Sequence, residues 1–158
     1  MPRAPFRRID SFCYLFFTFM KFQCIGYNIT TRGKDMKFYK CKHCGKIIAI
    51  VNDKKVPTFC CGEPMSELVA NTEDGAHEKH IPVFKVEGNI VHVTVGEVLH
   101  PMLDAHYIEW IAIETNFGNQ RKVLKPGDEP KADFALLPGE KVVRVVEHCN
   151  LHGLYSTK

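Results

Sequence analysis

The feature that most constrains this chain is a group of four cysteines in one short segment. Cys41 and Cys44 form a C-x-x-C-G motif, and Cys60 and Cys61 follow as an adjacent pair. The residues around them, 36–70, are too few to bury a stable apolar core, so a bound ion or a covalent cross-link must supply the missing stability. The segment is therefore predicted to be a small domain organised by its cysteines.

The spacing of these cysteines favours a metal ion. A C-x-x-C turn places two sulfurs side by side, and four thiolates in a tetrahedral arrangement suit a single iron or zinc ion. On spacing alone iron and zinc are equally good. A zinc ribbon is the usual structure for two C-x-x-C motifs, but the second pair here is adjacent. Disulfides are a third alternative, although a cytosolic chain keeps its thiols reduced.

Beyond residue 80 the sequence changes to short, β-branched segments that often alternate between apolar and polar positions. Turn signals such as Glu87-Gly88-Asn89 and Leu137-Pro138-Gly139 separate them. This pattern predicts an antiparallel β-sandwich of immunoglobulin type. The predicted strands are Ile81–Val86, Asn89–Val95, Tyr107–Thr115, Arg121–Leu124, Ala132–Leu137 and Lys141–Glu147. The chain is thus predicted to be mainly β, with a small cysteine domain followed by the sandwich.

Residues 1–35 differ from the rest in composition. They hold six Lys or Arg against two Asp, so the net charge of +3 for the whole chain becomes −1 without them. Ser11–Met20 is an aromatic-rich run, but no small-residue cleavage site follows it. Three interpretations stay open: a gene start assigned too early, with translation beginning at Met36, a disordered or self-associating extension, and a targeting segment.

The predicted organisation is therefore an N-terminal extension at residues 1–35, a cysteine domain at 36–70 and a β-sandwich domain at 71–158. The polar stretch 71–80 is expected to be a linker or a mobile loop. The charge balance of the two domains argues against nucleic acid as a partner. No apolar run approaches the roughly 18 residues that a membrane span needs.

Four histidines and one cysteine lie at strand ends and in connecting loops of the predicted sandwich, where such folds collect their functional groups. They are His80, His100, His106, Cys149 and His152. Each is a weak signal alone, because a lone histidine beside a strand is more often a hydrogen-bonded residue than a ligand. Together they are suggestive, because imidazole and thiolate are ligands of iron and zinc.

Four motifs resemble the superoxide reductase domain of the desulfoferrodoxin family. They are Glu78-Lys79-His80-Ile81-Pro82, His100-Pro101-Met102, His106-Tyr107-Ile108-Glu109-Trp110 and Cys149-Asn150-Leu151-His152-Gly153, in this order. The four-cysteine segment resembles the desulforedoxin-like domain of the same family. The resemblance covers residues 36–158 and fills every ligand position that the family uses.

The resemblance implies two iron centres. At the catalytic centre, a ferrous ion has one open coordination position, four imidazoles in a plane and an axial thiolate, from His80, His100, His106, His152 and Cys149. At the second centre, a ferric ion, with zinc as the alternative, is held by Cys41, Cys44, Cys60 and Cys61. The implied enzyme is a superoxide reductase, which adds one electron and two protons to superoxide and yields hydrogen peroxide.

The resemblance also implies roles for two residues before the first ligand. Lys79 attracts the superoxide anion, and Glu78 occupies the open position of the oxidised iron. A rubredoxin-like protein is the implied electron donor, and a homodimer is the implied assembly. A cytoplasmic location is expected if Met36 is the start.

Two other classes of function are weighed against this enzyme. One is a binding module, a zinc ribbon fused to a sandwich whose histidines and cysteine are incidental. The other is an electron carrier without oxygen chemistry. Neither requires a thiolate and four imidazoles around one point.

Overall fold

The computed structural model describes residues 36–72 and 77–157. These residues belong to one compact unit of the chain, Thr31–Lys158. The extension predicted at residues 1–35 lies outside the described residues, so its three interpretations stay predictions, as do the proposed domain boundaries. Within the described residues, no helix has both the length and the apolar character that crossing a bilayer requires.

The cysteine segment consists of short strands joined by tight turns. Its strands are β1 (Lys37–Lys40), β2 (Ile47–Ile50), β3 (Phe59–Cys60), β4 (Glu63–Pro64) and β5 (Ser66–Leu68). β1 is the centre of an antiparallel sheet with the order β2-β1-β5, while β3 and β4 form a separate hairpin. The cysteines lie at the turns of the β1–β2 and β3–β4 hairpins. Cys41 and Cys44 follow β1, Cys60 is the last residue of β3, and Cys61 follows it.

The rest of the chain forms the predicted sandwich. After a short helix α1 (His77–His80), its strands are β6 (Pro82–Glu87), β7 (Ile90–Val95), β8 (Ile108–Thr115), β9 (Asn119–Val123), β10 (Lys131–Ala135), β11 (Val142–Cys149) and β12 (Gly153–Ser156). One sheet has the order β10-β7-β6 and the other β12-β11-β8-β9, with every pair antiparallel. The prediction of a mainly β fold with a cysteine segment and an antiparallel sandwich is confirmed.

The main core lies between the two sheets. In β7, Val91, Val93 and Val95 are buried and the intervening residues are more exposed, as the alternating sequence predicts. The buried members of this core are Val91, Val93, Val95, Ile108, Ile111, Ile113, Leu124, Ala132, Phe134, Val145 and Cys149. Cys149, one of the predicted ligands, is thus part of this core.

A second core covers the outer face of the four-stranded sheet. Phe38 of β1 packs against Trp110 of β8, with ring centroids 4.8 Å apart. Its buried members are Phe38, Trp110, Ala112, Val146 and Leu154. β8 is therefore buried on both faces, which explains its nearly continuous apolar run.

A partly buried ion pair joins the start of the described chain to the same sheet. Arg144 lies 2.6 Å from the Glu114 carboxylate, and it also donates to the Met36 carbonyl at 3.2 Å. The Met36 amide donates to Glu114 at 3.1 Å. The cysteine segment is therefore fixed to the sandwich by polar contacts as well as by the second core.

One expectation about local structure needs correction, and one strand was not predicted. The stretch 71–80 was expected to be a linker or mobile loop, but its last four residues form α1, which the backbone bond from Ile81 to the His77 carbonyl closes at 2.9 Å. The final strand, β12, had no sequence prediction, because its glycine and its position after the ligand turn mask the strand pattern.

Candidate metal centres

The five side chains predicted for the catalytic centre come together at one end of the sandwich. Their ligand atoms all lie within 4.8 Å of one another. His80 ends α1, and His100 and His106 lie in the connection between β7 and β8. Cys149 ends β11, and His152 lies in the turn before β12. Segments far apart in sequence thus bring nitrogen and sulfur donors to a common point.

The distances between these donors show how closely they converge. His80 Nε2 lies 2.9 Å from His152 Nδ1 and 3.2 Å from His100 Nε2. Cys149 Sγ lies 3.7 Å from His152 Nδ1. His106 Nε2 is buried and has no hydrogen-bond partner among the described residues. A cation satisfies such a set of inward lone pairs, so these residues fit a bound metal ion.

Hydrogen bonding and burial prepare the imidazoles as neutral ligands. His100 Nδ1 donates to the Pro101 carbonyl at 2.6 Å, which leaves the Nε2 lone pair facing the other donors. Burial lowers the pKa of His100 to about 4. Burial also lowers the pKa of His106, assisted by His152 and Lys79. The neutral form that binds metal is thus the form that the fold favours.

The Cys149 sulfur is buried at the start of a tight turn. Burial raises the pKa of the Cys149 thiol, while the backbone N–H groups of His152 and Leu151 donate to the sulfur and act in the opposite direction. The turn ends at Gly153, whose φ of 79° is in the left-handed region that favours glycine. The backbone therefore supplies donors that stabilise a thiolate ligand.

The four cysteines of the N-terminal segment form a second cluster. Their sulfurs also lie within 4.8 Å of one another. Cys44 Sγ is 3.6 Å from Cys60 Sγ, far beyond the roughly 2.05 Å of a disulfide. All four are free thiols, as Cys149 is. Their arrangement fits one ion of iron or zinc, whereas the disulfide alternative does not describe the fold.

The C-x-x-C turn uses the same backbone device as the Cys149 turn. The N–H of Cys44, and secondarily that of His43, donates to Cys41 and lowers the pKa of its thiol to about 6. Shared protons with Cys44, then with Cys41, raise the pKa of Cys60 to about 12. One thiol is thus poised to deprotonate first, and a metal ion displaces the remaining protons.

Glu78 and Lys79 lie in α1 directly before His80, with exposed side chains. The turn that follows β7 holds this helix by its backbone. Glu97 and Val98 donate their N–H groups to the Glu78 carbonyl at 2.8 and 3.3 Å, and Gly96 donates to the Ile81 carbonyl at 3.2 Å. Backbone hydrogen bonds therefore hold α1, which carries His80, against the turn that leads to His100.

Gly96→Ala is expected to disturb this fastening. Gly96 has a φ of 80°, and an added Cβ would lie 2.5 Å from the Val98 carbonyl oxygen and 2.6 Å from that of Lys79. Because both neighbours are backbone atoms, α1 or the turn after β7 must move. We expect a loss of about 1–3 kcal/mol in the free energy of unfolding in urea, with faster amide exchange at Glu97.

Gly139→Ala is the matched control for this substitution. Its φ of 84° carries the same conformational cost, but its added Cβ would meet only Phe117 Cζ at 3.8 Å. Equal losses of stability in the two variants, with Glu97 exchange unchanged in both, would show that the close approach of Gly96 to Lys79 has no structural consequence.

Several residues that surround the catalytic centre had no assigned role in the sequence. Tyr155 is fully buried and stacks on His80, with ring centroids 4.6 Å apart. His148 is fully buried and stacks on Trp110 at 5.6 Å, although its sequence context suggested only a residue flanking a ligand. The unpredicted strand β12 carries Tyr155, so sequence periodicity gave no signal for it.

Glu147 is a further buried residue that the sequence did not single out. It is fully buried in β11, and its two carboxylate oxygens have no hydrogen-bond partner among the described residues. Burial raises the pKa of Glu147 well above its ordinary value. The position two residues before Cys149 was its only sequence signal.

Three other histidines occupy ordinary surface positions. His43 lies 3.1 Å from Glu63, and His92 lies 2.8 Å from Asp133. His77 packs edge-on to Tyr155 and is exposed. None of the three belongs to either cluster of possible ligands found among the described residues.

Comparison with known sequences gives a match for the cysteine segment and for the sandwich. A family profile described as desulfoferrodoxin matches residues 72–158, and one described as its N-terminal domain matches residues 33–68. A desulfoferrodoxin homolog of Archaeoglobus fulgidus is 45% identical over 122 residues, which is 77% of this chain and 96% of that protein. The desulfoferrodoxin of Nitratidesulfovibrio vulgaris is 45% identical over 122 residues, 77% of this chain and 95% of that protein.

Comparison with solved structures gives the same result. The superoxide reductase from Treponema pallidum is 35% identical, with a TM-score of 0.67. The likeness covers 78% of this chain and 97% of that one.

Proposed function

The chain belongs to the desulfoferrodoxin family, and from this membership we propose that it is a superoxide reductase. In the reaction, superoxide takes up one electron and two protons and becomes hydrogen peroxide. The observation that carries this proposal is the convergence of four imidazoles and one thiolate within 4.8 Å. An iron ion at this site would supply the single electron by cycling between its ferrous and ferric states.

The proposed ligands divide into two sets. His80, His100, His106, Cys149 and His152 hold the catalytic iron, and Cys41, Cys44, Cys60 and Cys61 hold a ferric ion, with zinc as the alternative. At the catalytic centre, neutral imidazoles leave the positive charge of the ion uncancelled, which favours a small anion. The Cys149 thiolate, stabilised by two backbone N–H groups, adds electron density to the centre.

Glu78 and Lys79 are proposed to act at the mouth of the centre. Lys79 contributes to the lowered pKa of His106, after burial and His152, so its charge is felt at the ligands. An exposed ammonium in that position attracts superoxide and stabilises negative charge during its reduction. Glu78 is proposed to supply a carboxylate that would bind the catalytic iron when the iron is oxidised, and the backbone bonds from Glu97 and Val98 hold the helix that carries it.

Pulse radiolysis of the fully reduced protein tests the proposed reaction. We expect one hydrogen peroxide for each superoxide consumed, with one oxidised centre and no dioxygen. A superoxide dismutase would release dioxygen and leave the centre reduced after each cycle. A binding module or a simple electron carrier would leave the superoxide decay at its uncatalysed rate. Either of these results would contradict the proposal.

The tetrathiolate centre is proposed to stabilise the fold and the dimer first, and to relay electrons second. Cys60→Ser is expected to abolish the ferric-tetrathiolate absorption and to reduce the dimer mass in solution, while turnover with an external donor persists. Protein with zinc in this site is the matched control, because zinc keeps the fold but has no redox chemistry. Slower turnover in an intact dimer, for both proteins, would contradict the order of these roles.

The proposed donor is a small rubredoxin-like protein. Four aliphatic side chains on the segments next to the catalytic ligands are more than half exposed: Val98, Leu99, Leu103 and Leu151. Such an apolar rim supports brief docking of a small redox protein at short range from the centre. If this apolar rim dominates docking, the steady-state rate of reduction by rubredoxin should change little with added salt, because salt screens charged contacts.

A homodimer and a cytoplasmic location complete the proposal. The cysteine segment exposes large apolar side chains, including Val51, Val56 and Phe59, that a second copy would cover. The described cysteines are all free thiols, which supports a reducing compartment.

A further inference from the structure

Asn150 connects two ligand-bearing segments of the catalytic centre. It follows Cys149 in the turn after β11, and its side chain faces the loop that carries His106. Its Oδ1 accepts from the Tyr107 N–H at 2.9 Å, and its Nδ2 donates to the Ala105 carbonyl at 3.1 Å. Its own backbone N–H donates to the Tyr107 carbonyl at 3.1 Å.

These three hydrogen bonds bind Asn150 to the backbone of the two residues that flank His106. Ala105 precedes it and Tyr107 follows it, so the Asn150 amide spans the ligand position. His106 and Leu103 also exchange two backbone bonds of 2.9 Å, which closes the loop on its other side. The backbone of His106 is therefore fixed, while the buried Nε2 of its side chain has no hydrogen-bond partner among the described residues.

The same arrangement occurs at the opposite end of the sandwich. Asn116 Oδ1 accepts from the Lys141 N–H at 2.7 Å, its Nδ2 donates to the Gly139 carbonyl at 3.2 Å, and its backbone N–H donates to the Lys141 carbonyl at 3.1 Å. Because β8 and β11 are antiparallel, with Thr115 opposite Val142 and Ile108 opposite Cys149, this clamp is remote from the ligands. The same asparagine hydrogen-bond pattern thus occurs twice in the fold, once around Glu140 and once around His106.

We propose that Asn150 is a positioning residue that fixes His106 to the Cys149 turn, so that two ligands from distant segments act as one rigid unit. This inference rests on the proposed role of both residues as metal ligands. Cys149 Sγ lies 3.9 Å from Asn150 Oδ1, a distance at which any hydrogen bond is weak. The effect of Asn150 on the centre therefore passes through the His106 backbone.

Asn150→Ala and Asn116→Ala form a matched pair that tests the proposal. Both variants lose the same two side-chain bonds, and both are expected to lose a similar free energy of unfolding. Only Asn150→Ala is expected to release ferrous iron faster to a competing chelator, by about 10- to 100-fold, as for other residues that orient a metal ligand. It is also expected to shift the thiolate-to-iron absorption band of the oxidised protein.

Two further measurements separate positioning from general destabilisation. Amide exchange of Tyr107 in the metal-free protein should quicken in Asn150→Ala and stay unchanged in Asn116→Ala. Asn150→Asp keeps the acceptor for the Tyr107 N–H but places a carboxylate oxygen against the Ala105 carbonyl oxygen, so it too should release iron faster than wild type. Equal rates of iron release in the two alanine variants would overturn the proposal. The chelator assay does not use superoxide, so it can succeed even if the proposed reaction fails.

Discussion

Trp110→Ala is expected to lower the free energy of unfolding by about 3–5 kcal/mol, the usual cost of removing a large buried aromatic side chain. The Trp110 ring is 6% exposed and fills the second core between the cysteine segment and the four-stranded sheet. It contacts Phe38 on one side and His148 on the other, so both partners lose packing at once. Urea unfolding followed by circular dichroism measures the loss.

The effect should also reach the metal centres, because His148 immediately precedes Cys149 and Phe38 lies three residues before Cys41. We expect the variant to bind less iron at both sites when it is purified. Phe84→Ala is the matched control, since the Phe84 ring lies on β6 and is 41% exposed. It should cost well under 2 kcal/mol. A Trp110→Ala protein as stable as Phe84→Ala would show that the second core contributes little.

The sequence, with its resemblance to the desulfoferrodoxin family, was sufficient to predict which histidines and cysteines lie close together. Cys41 and Cys44 share one turn, so their spacing alone brings their sulfurs together. His80 and Cys149 are far apart in sequence, and only the resemblance to desulfoferrodoxin predicted that they meet. The structure brings both sets together as expected.

The packing contacts and hydrogen bonds that support the catalytic centre could not be predicted from the sequence, for a physical reason. The apolar run in β8 indicates burial, but it does not show that Phe38 of another segment covers the outer face. The grip of Asn150 on Ala105 and Tyr107 is a long-range contact to backbone atoms, which leaves no side-chain pattern in the partner segment. Periodicity describes one element at a time, and these contacts depend on how the elements meet.

Lys79→Ala is expected to slow the second-order reaction with superoxide by roughly 10-fold or more at low ionic strength. A positive charge beside a small open centre raises the encounter rate of an anion, and fields of this kind change association rates by about 10–1,000-fold. Salt screens such an effect, since the Debye length shrinks to about 10 Å at 0.1 M. The variant should therefore show a flatter dependence of rate on ionic strength than wild type, measured by pulse radiolysis.

Lys141→Ala provides the control, because it removes the same charge from the opposite end of the sandwich, beside Asn116. If net charge alone governed the encounter, both variants would lose rate equally and keep parallel salt dependences. If Lys79 acts locally, Lys141→Ala should stay close to wild type at every salt concentration. A Lys79→Ala protein that reacts at the wild-type rate in low salt would remove Lys79 from the mechanism, while the five-ligand centre would still account for electron transfer to superoxide.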